Sequence, residues 1–137
     1  MSNIQAAIGC AQLERVRELV DRKREIFAAY KSGLRSIDFI QMNSEPPNTM
    51  NGMWMPTIVF DEKACISRER LLLAFREKGI DARNFFWPLS SLPMFTSAPR
   101  NKNAWSIPER AINLPSFHDI SDESLQQVIA VIKAQVK

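Results

Sequence analysis

Histidine, cysteine, glycine and long apolar runs are all scarce in this 137-residue chain, and each shortage closes off a class of function. His118 is the only histidine, so no Ser/His/Asp or Cys/His arrangement can be assembled without it. It stands between Phe117 and Asp119 in an expected surface turn, where a structural or solvent-exposed role is the expectation. The two cysteines, Cys10 and Cys65, lie far apart with no second Cys or metal-spaced His beside them. They read as free thiols of a reducing compartment, not as a metal site or a disulfide. Four glycines, at positions 9, 33, 52 and 79, are too scattered to cradle phosphate. Each has a turn, cap or packing explanation, and Gly9 alone lies inside an expected helix. No apolar run approaches the roughly eighteen residues of a membrane span and no signal-peptide pattern is present, so a cytoplasmic protein without membrane contact is expected.

Charge is balanced as well. The net +3 comes from basic residues interleaved with acids, so Arg15, Arg17, Arg22, Lys23 and Arg24 read as a solvated helix face and no nucleic-acid partner is expected. Asp21 and Glu25 share a helix face with nothing to suggest burial, and read as solvating charges. At 45% hydrophobic content, one domain of this length can bury roughly two-thirds of the surface of its unfolded chain.

What the chain does have is a long opening helix. Ser2 and Gln5 form a capping-box pair. Ile4, Ala7, Ile8 and Ala11, then Val16, Leu19, Val20, Phe27 and Tyr30, continue an apolar stripe. The spacing predicts one uninterrupted helix from residue 1 to 30, ended by Gly33 as the residue after the C-cap. Such a rod spans roughly 45 Å, more than the breadth of a small domain, so its first turns should overhang the core and need a partner. Strand-like composition follows at 34–40. A Pro- and Asn-rich loop occupies 41–52, and 53–60 is a strand that Pro56 marks as an edge or bulge. Ser67 caps a helix stopped by Gly79, and 80–87 is a second strand. A short helix near 104–110 is weakened by Pro108. Residues 112–114 add a third strand, and Ser121 caps a closing helix whose face is Leu125, Val128, Ile129 and Ile132. The expectation is an α+β fold: the long helix over residues 1–33, then a small two-layer unit over 34–137 with a mixed or antiparallel sheet of about three strands covered by helices.

One cluster stands out chemically. Arg83, Asn84, Phe85, Phe86, Trp87 and Pro88 set a guanidinium and an amide beside large aromatics, with Trp54 on the preceding strand. Two readings stay open: aromatic packing with Arg83 snorkelling, or a pocket edge at which Arg83 meets an anionic or polyhydroxylated ligand.

The opening MSNIQAAIGCAQLERVRELVDRKREIFAAY, through Met1, Gln5, Ala6, Ala7, Gly9, Gln12, Leu13 and Arg24, resembles the helix after the active-site segment in the DegT/DnrJ/EryC1/StrS family of pyridoxal-phosphate-dependent sugar aminotransferases. NGMWMPTIVF resembles the strand that begins that family's small domain. GIDARNFFWPLSSLPMF and INLPSFHDISDESLQQVIAVI resemble its later stretches, with Ser90 where the family often has histidine. The resemblance covers the whole chain but only the C-terminal third of such an enzyme. It implies a fold-type I small domain, a homodimer, for which the apolar strip of Ile4, Ala7, Ile8, Ala11 and Val16 on the overhanging helix end is the expected interface, and a substrate role for Trp54, Arg83, Asn84 and Phe86 toward a nucleotide-linked keto sugar. It also implies that pyridoxal 5'-phosphate belongs to a large cofactor domain with a Schiff-base lysine that is not in this chain, which alone would then be catalytically incomplete. None of Lys23, Lys31, Lys63, Lys78, Lys102, Lys133 and Lys137 carries a burial signature for that role. The alternative expectation, from Met1 and Ser2 as a genuine start, is a self-standing module that works through self-association without enzyme activity.

Overall fold

A computed structural model describes residues 1–64 and 66–136, so the expectations for Cys65 and Lys137 lie outside the described residues. The elements in order are α1 (Asn3–Glu14), α2 (Val16–Leu34), β1 (Ile40–Met42), β2 (Thr57–Phe60), α3 (Arg68–Glu77), β3 (Arg83–Asn84), a 3-10 turn at Leu89–Ser91, α4 (Lys102–Glu109), β4 (Ala111–Asn113) and α5 (Asp122–Gln135). The strands make one antiparallel sheet in the order β1-β2-β4-β3. The fold is α+β, with four strands where about three were expected. Alternation along β2 sends Ile58 and Phe60 to one face. There they join Ile112 of β4 and the apolar stripes of α2, α3 and α5 in a single core that includes Ile26, Tyr30, Phe75 and Ile132. No helix among the described residues is long and apolar enough to cross a membrane.

The uninterrupted opening helix is corrected by the structure. The capping box of Ser2 and Gln5 forms, but the helix breaks at Arg15, not at Gly9. Arg15 leaves helical geometry at φ −106°, ψ 6°, its N–H turns back to the carbonyls of Gln12 and Leu13, and α2 restarts from it. Its guanidinium grips Glu18 one turn on, at 3.1 and 2.5 Å. The two helices differ in what holds them. In α1 no residue is buried, whereas α2 buries Ile26, Phe27, Tyr30 and Leu34. At 1.5 Å per residue α2 is about 28 Å long, matched to the domain it crosses.

Smaller corrections follow from packing. Leu34 completes the buried stripe of α2, so the strand expected from 34 starts only at Ile40. Gly33 is inside α2 and faces Ile129 of α5 instead of ending the helix. Pro56 precedes β2, and its carbonyl accepts from the Leu114 N–H at 2.9 Å. It therefore does not displace β2 to an edge, and β2 lies between β1 and β4. Of the stretch 80–87 only Arg83–Asn84 pairs, at the far edge beside β4. Gly79, with φ +69°, is the left-handed residue that ends α3, as its sequence position suggested.

Candidate functional site

The short edge strand β3 brings Arg83 and Asn84 alongside Asn113 and Ile112 of β4. Behind it lies a buried polar relay that sequence patterning did not single out: the Thr57 hydroxyl donates to Asn113 Oδ1 at 2.8 Å, and Asn113 Nδ2 donates to the Asn84 carbonyl at 3.4 Å. Thr57 and Asn113 are among the few buried polar side chains, and satisfying each other removes most of the cost of that burial. The relay fixes the backbone from which Arg83 and Asn84 project.

A cleft of about 650 Å³ opens beside β3, lined by Arg83, Asn84 and Phe86 together with Met55, Ser116, Phe117 and Gln127. That volume is in the range of small-molecule sites. Three of the four residues singled out in sequence thus share one wall. Trp54 does not line the cleft, but its ring stacks on Phe86 with centroids 6.4 Å apart and planes inclined by 20°. Both rings are more than half exposed, at 64% and 56%. The two rings pack on each other at the rim and not in the core, which would have removed them from water.

Arg83 neither snorkels nor stands free. Its Nε is 3.2 Å from each carboxylate oxygen of Asp81, and its other contact to Oδ2 is 2.8 Å. Two residues apart on an extended segment, the pair shares one side of the chain. The hydrogen bond and the nearby charge hold the Asp81 carboxyl below its usual range and push the Arg83 guanidinium up.

Residues 114–117 also line the cleft, and they and the turn after them are tied down by polar side chains of α2. Tyr30 donates its hydroxyl to the Pro115 carbonyl at 2.8 Å, and Lys23 donates to the Ser116 carbonyl. Arg22 donates to the carbonyls of His118 at 3.1 Å and Ile120 at 2.7 Å. Arg24 ties down the loop that leads to Trp54, through Glu45 at 2.7 and 3.0 Å and the Asn51 carbonyl at 2.5 Å. The Ser116 hydroxyl then donates to the Trp54 carbonyl at 2.9 Å. Arg22, Lys23 and Arg24 are therefore tethers, not the solvated face expected of them: a charge pattern records which side of a helix is polar, not which loop carbonyls will fold against it.

His118 is half-buried, with Nε2 3.9 Å from Glu18, and does not line the cleft. Among the described residues no three His, Cys, Asp or Glu side chains converge as for a metal ion. The residues of the cleft do not fit pyridoxal phosphate by themselves. Its Schiff base would need a sequestered lysine amine, whereas Lys78, which lines the cleft, is exposed at the C-cap of α3, and Lys23 is committed to Ser116. The residues expected at a dimer interface, Ile4, Ala7, Ile8, Ala11 and Val16, are all exposed. The first four are on α1 and Val16 opens α2.

Comparison with known proteins adds the lineage. Residues 1–133 match the DegT/DnrJ/EryC1/StrS aminotransferase family. GDP-perosamine synthase of Vibrio cholerae is 34% identical over 139 residues, which cover 97% of this chain and 37% of that protein. A Bacillus subtilis protein assigned as a pyridoxal phosphate-dependent aminotransferase is 30% identical over 138 residues, 96% of this chain and 35% of the relative. A solved structure from Streptococcus pneumoniae, assigned as a sugar aminotransferase and in its PMP form, shares the fold with a TM-score of 0.85 at 22% identity, over 99% of this chain and 35% of that one. The chain spans about a third of the length of the curated relatives it matches. With a match running from residue 1 to residue 133 on this α+β fold, the chain belongs to the DegT/DnrJ/EryC1/StrS aminotransferase family.

Proposed function

We propose that this chain is the small domain of a pyridoxal-phosphate-dependent aminotransferase that acts on a nucleotide-linked keto sugar, with the cofactor held by a large domain outside residues 1–137. The observation that carries the reading is the convergence of Arg83, Asn84 and Phe86 on one cleft, with Trp54 stacked at its edge, in a chain of this family. Cation, amide and exposed aromatic faces are the groups that hold an anionic, polyhydroxylated and partly aromatic ligand. GDP-perosamine synthases among the relatives make a GDP-linked sugar the first substrate to test. Residues 1–33 would serve as the bridge to the cofactor domain and 34–137 as the small domain proper. A cytoplasmic location suits this substrate class. A crystal of the complete Vibrio cholerae relative with its product tests the site. Contact from the positions that match Trp54, Arg83, Asn84 and Phe86 supports it, and product bound with none of them in contact removes it.

The assembly proposed is a homodimer through α1. Ile4, Ala7, Ile8 and Ala11 fall on one side of that helix, with Ile4 74% and Ile8 60% exposed. Each Å² of such surface left in water costs about 25 cal/mol, and a twofold pairing would cover the same patch on both copies. Leu13, on the other side of α1, would be left for the cofactor domain. Light scattering at tens of micromolar should give a dimer mass, and a monomer mass there refutes the pairing.

A further inference from the structure

We propose that Asp81 is a specificity-determining residue of this cleft: an intrachain competitor that occupies the Arg83 guanidinium and must be displaced by the anionic group of a nucleoside diphosphate. The inference rests on the assignment of the cleft to a nucleotide-linked substrate. Lys78, Asp81 and Arg83 are the charged side chains that line the cleft, and Asp81 alone is negative. It takes the Arg83 fork through Nε and one terminal nitrogen, the geometry a phosphate or diphosphate would use. Both partners are about three-quarters exposed, so water screens the pair and its displacement costs little. The carboxylate therefore does two things to an arriving diphosphate. It neutralises the cation the ligand needs, and it adds a repulsive charge within the same cleft. A nucleoside without phosphate has no use for Arg83 and is indifferent to Asp81. The consequence is moderate affinity for anionic ligands, which favours release of an anionic product.

The test is calorimetric titration of the 137-residue chain with GDP and with guanosine. The unmodified chain should bind GDP more tightly than guanosine, and Arg83→Gln should bring GDP down to the guanosine level. Asp81→Asn should tighten GDP by up to about fivefold, the most a screened surface pair would withhold, and leave guanosine unchanged. Because Asp81 acts mainly through Arg83, Asp81→Asn added to Arg83→Gln should tighten GDP by less than Asp81→Asn does alone, since only the direct repulsion is left to relieve. Asp81→Glu, which retains the competing charge, should stay near the unmodified value. If GDP binding requires Arg83 but Asp81→Asn leaves it unchanged or weakens it, the role of Asp81 is overturned and the cleft assignment stands. If GDP binds no better than guanosine, or Arg83→Gln has no effect, the cleft assignment falls and the role of Asp81 with it.

Discussion

Gly33→Ala should destabilise this protein even though alanine is the better helix former, and the reason is a single close approach. A Cβ at position 33 would lie 2.5 Å from Ile129 Cδ1, 3.1 Å from Cγ1 and 3.2 Å from Cγ2. Ordinary carbon contact is near 3.5 Å, so the δ methyl must move by roughly 1 Å and the γ carbons by a few tenths of an ångström. The terminal methyl could rotate away on its own, but the two γ carbons cannot, because a β-branched side chain in a helix has essentially one χ1 position. Ile129 is 3% exposed in the core, so α2 and α5 must separate to admit the methyl. Overpacking of this kind costs about 1–3 kcal/mol, and the gain in helix propensity returns at most about 1 kcal/mol. The net expectation is a destabilisation of up to about 2 kcal/mol, or up to roughly 6 °C in Tm for a domain of this size. Urea unfolding followed by far-ultraviolet circular dichroism measures it. Ile129→Val, which deletes the nearest methyl, should lessen the cost of Gly33→Ala in a double-mutant cycle. A Gly33→Ala variant at least as stable as the unmodified chain would refute the close-packing argument.

The same substitution at Gly9 should act oppositely, since nothing lies within 4 Å of a Cβ there: Gly9→Ala should raise helicity by dichroism, favouring α1 by about 1 kcal/mol without changing the cooperative unfolding of the core. Glu45 accepts from Arg24 and from the Asn51 N–H, which hold its carboxyl at about 2 against an ordinary value of 4.5. A depressed carboxylate stabilises fully above the ordinary value and loses that contribution as pH falls toward 2, so urea midpoints of Glu45→Gln and the unmodified chain should differ at neutral pH and converge between pH 4.5 and 2. Burial pushes the phenol of Tyr30, the sole tyrosine, well above its usual range; tyrosinate absorbance at about pH 11 should therefore emerge only with unfolding, and Tyr30→Phe should cost about 1 kcal/mol in urea unfolding through the lost bond to Pro115. Arg22→Ala should cost about 1–3 kcal/mol in the same assay, because two loop carbonyls lose a charged donor.

The helices were legible in the sequence where local chemistry and burial agree. Ser2, Ser67 and Ser121 each cap the helix assigned to them, and the stripe Leu125, Val128, Ile129 and Ile132 is buried as its spacing indicates. Strand bounds were less so. β3 is only two residues long, with the Phe85 N–H making a last, long bond of 3.4 Å to the Ala111 carbonyl, and no composition rule registers where regular pairing with a partner strand stops. The break at Arg15 was hidden because neither Gly nor Pro marks it. The aromatic and basic content around Arg83 singled out residues that share one wall of the cleft. Asp81, Ser116 and Gln127 were not singled out, since their place in it depends on how the chain segments of 80–86, 114–117 and α5 meet in space.

The most direct test of the central claim replaces the part of Vibrio cholerae GDP-perosamine synthase that this chain matches, 37% of its length, with residues 1–137 and measures amino transfer to a GDP-linked keto sugar. The account predicts a dimer that retains pyridoxal phosphate and turns over, with Arg83→Gln raising KM more than it lowers kcat. A folded, dimeric, cofactor-loaded chimera without turnover would contradict it.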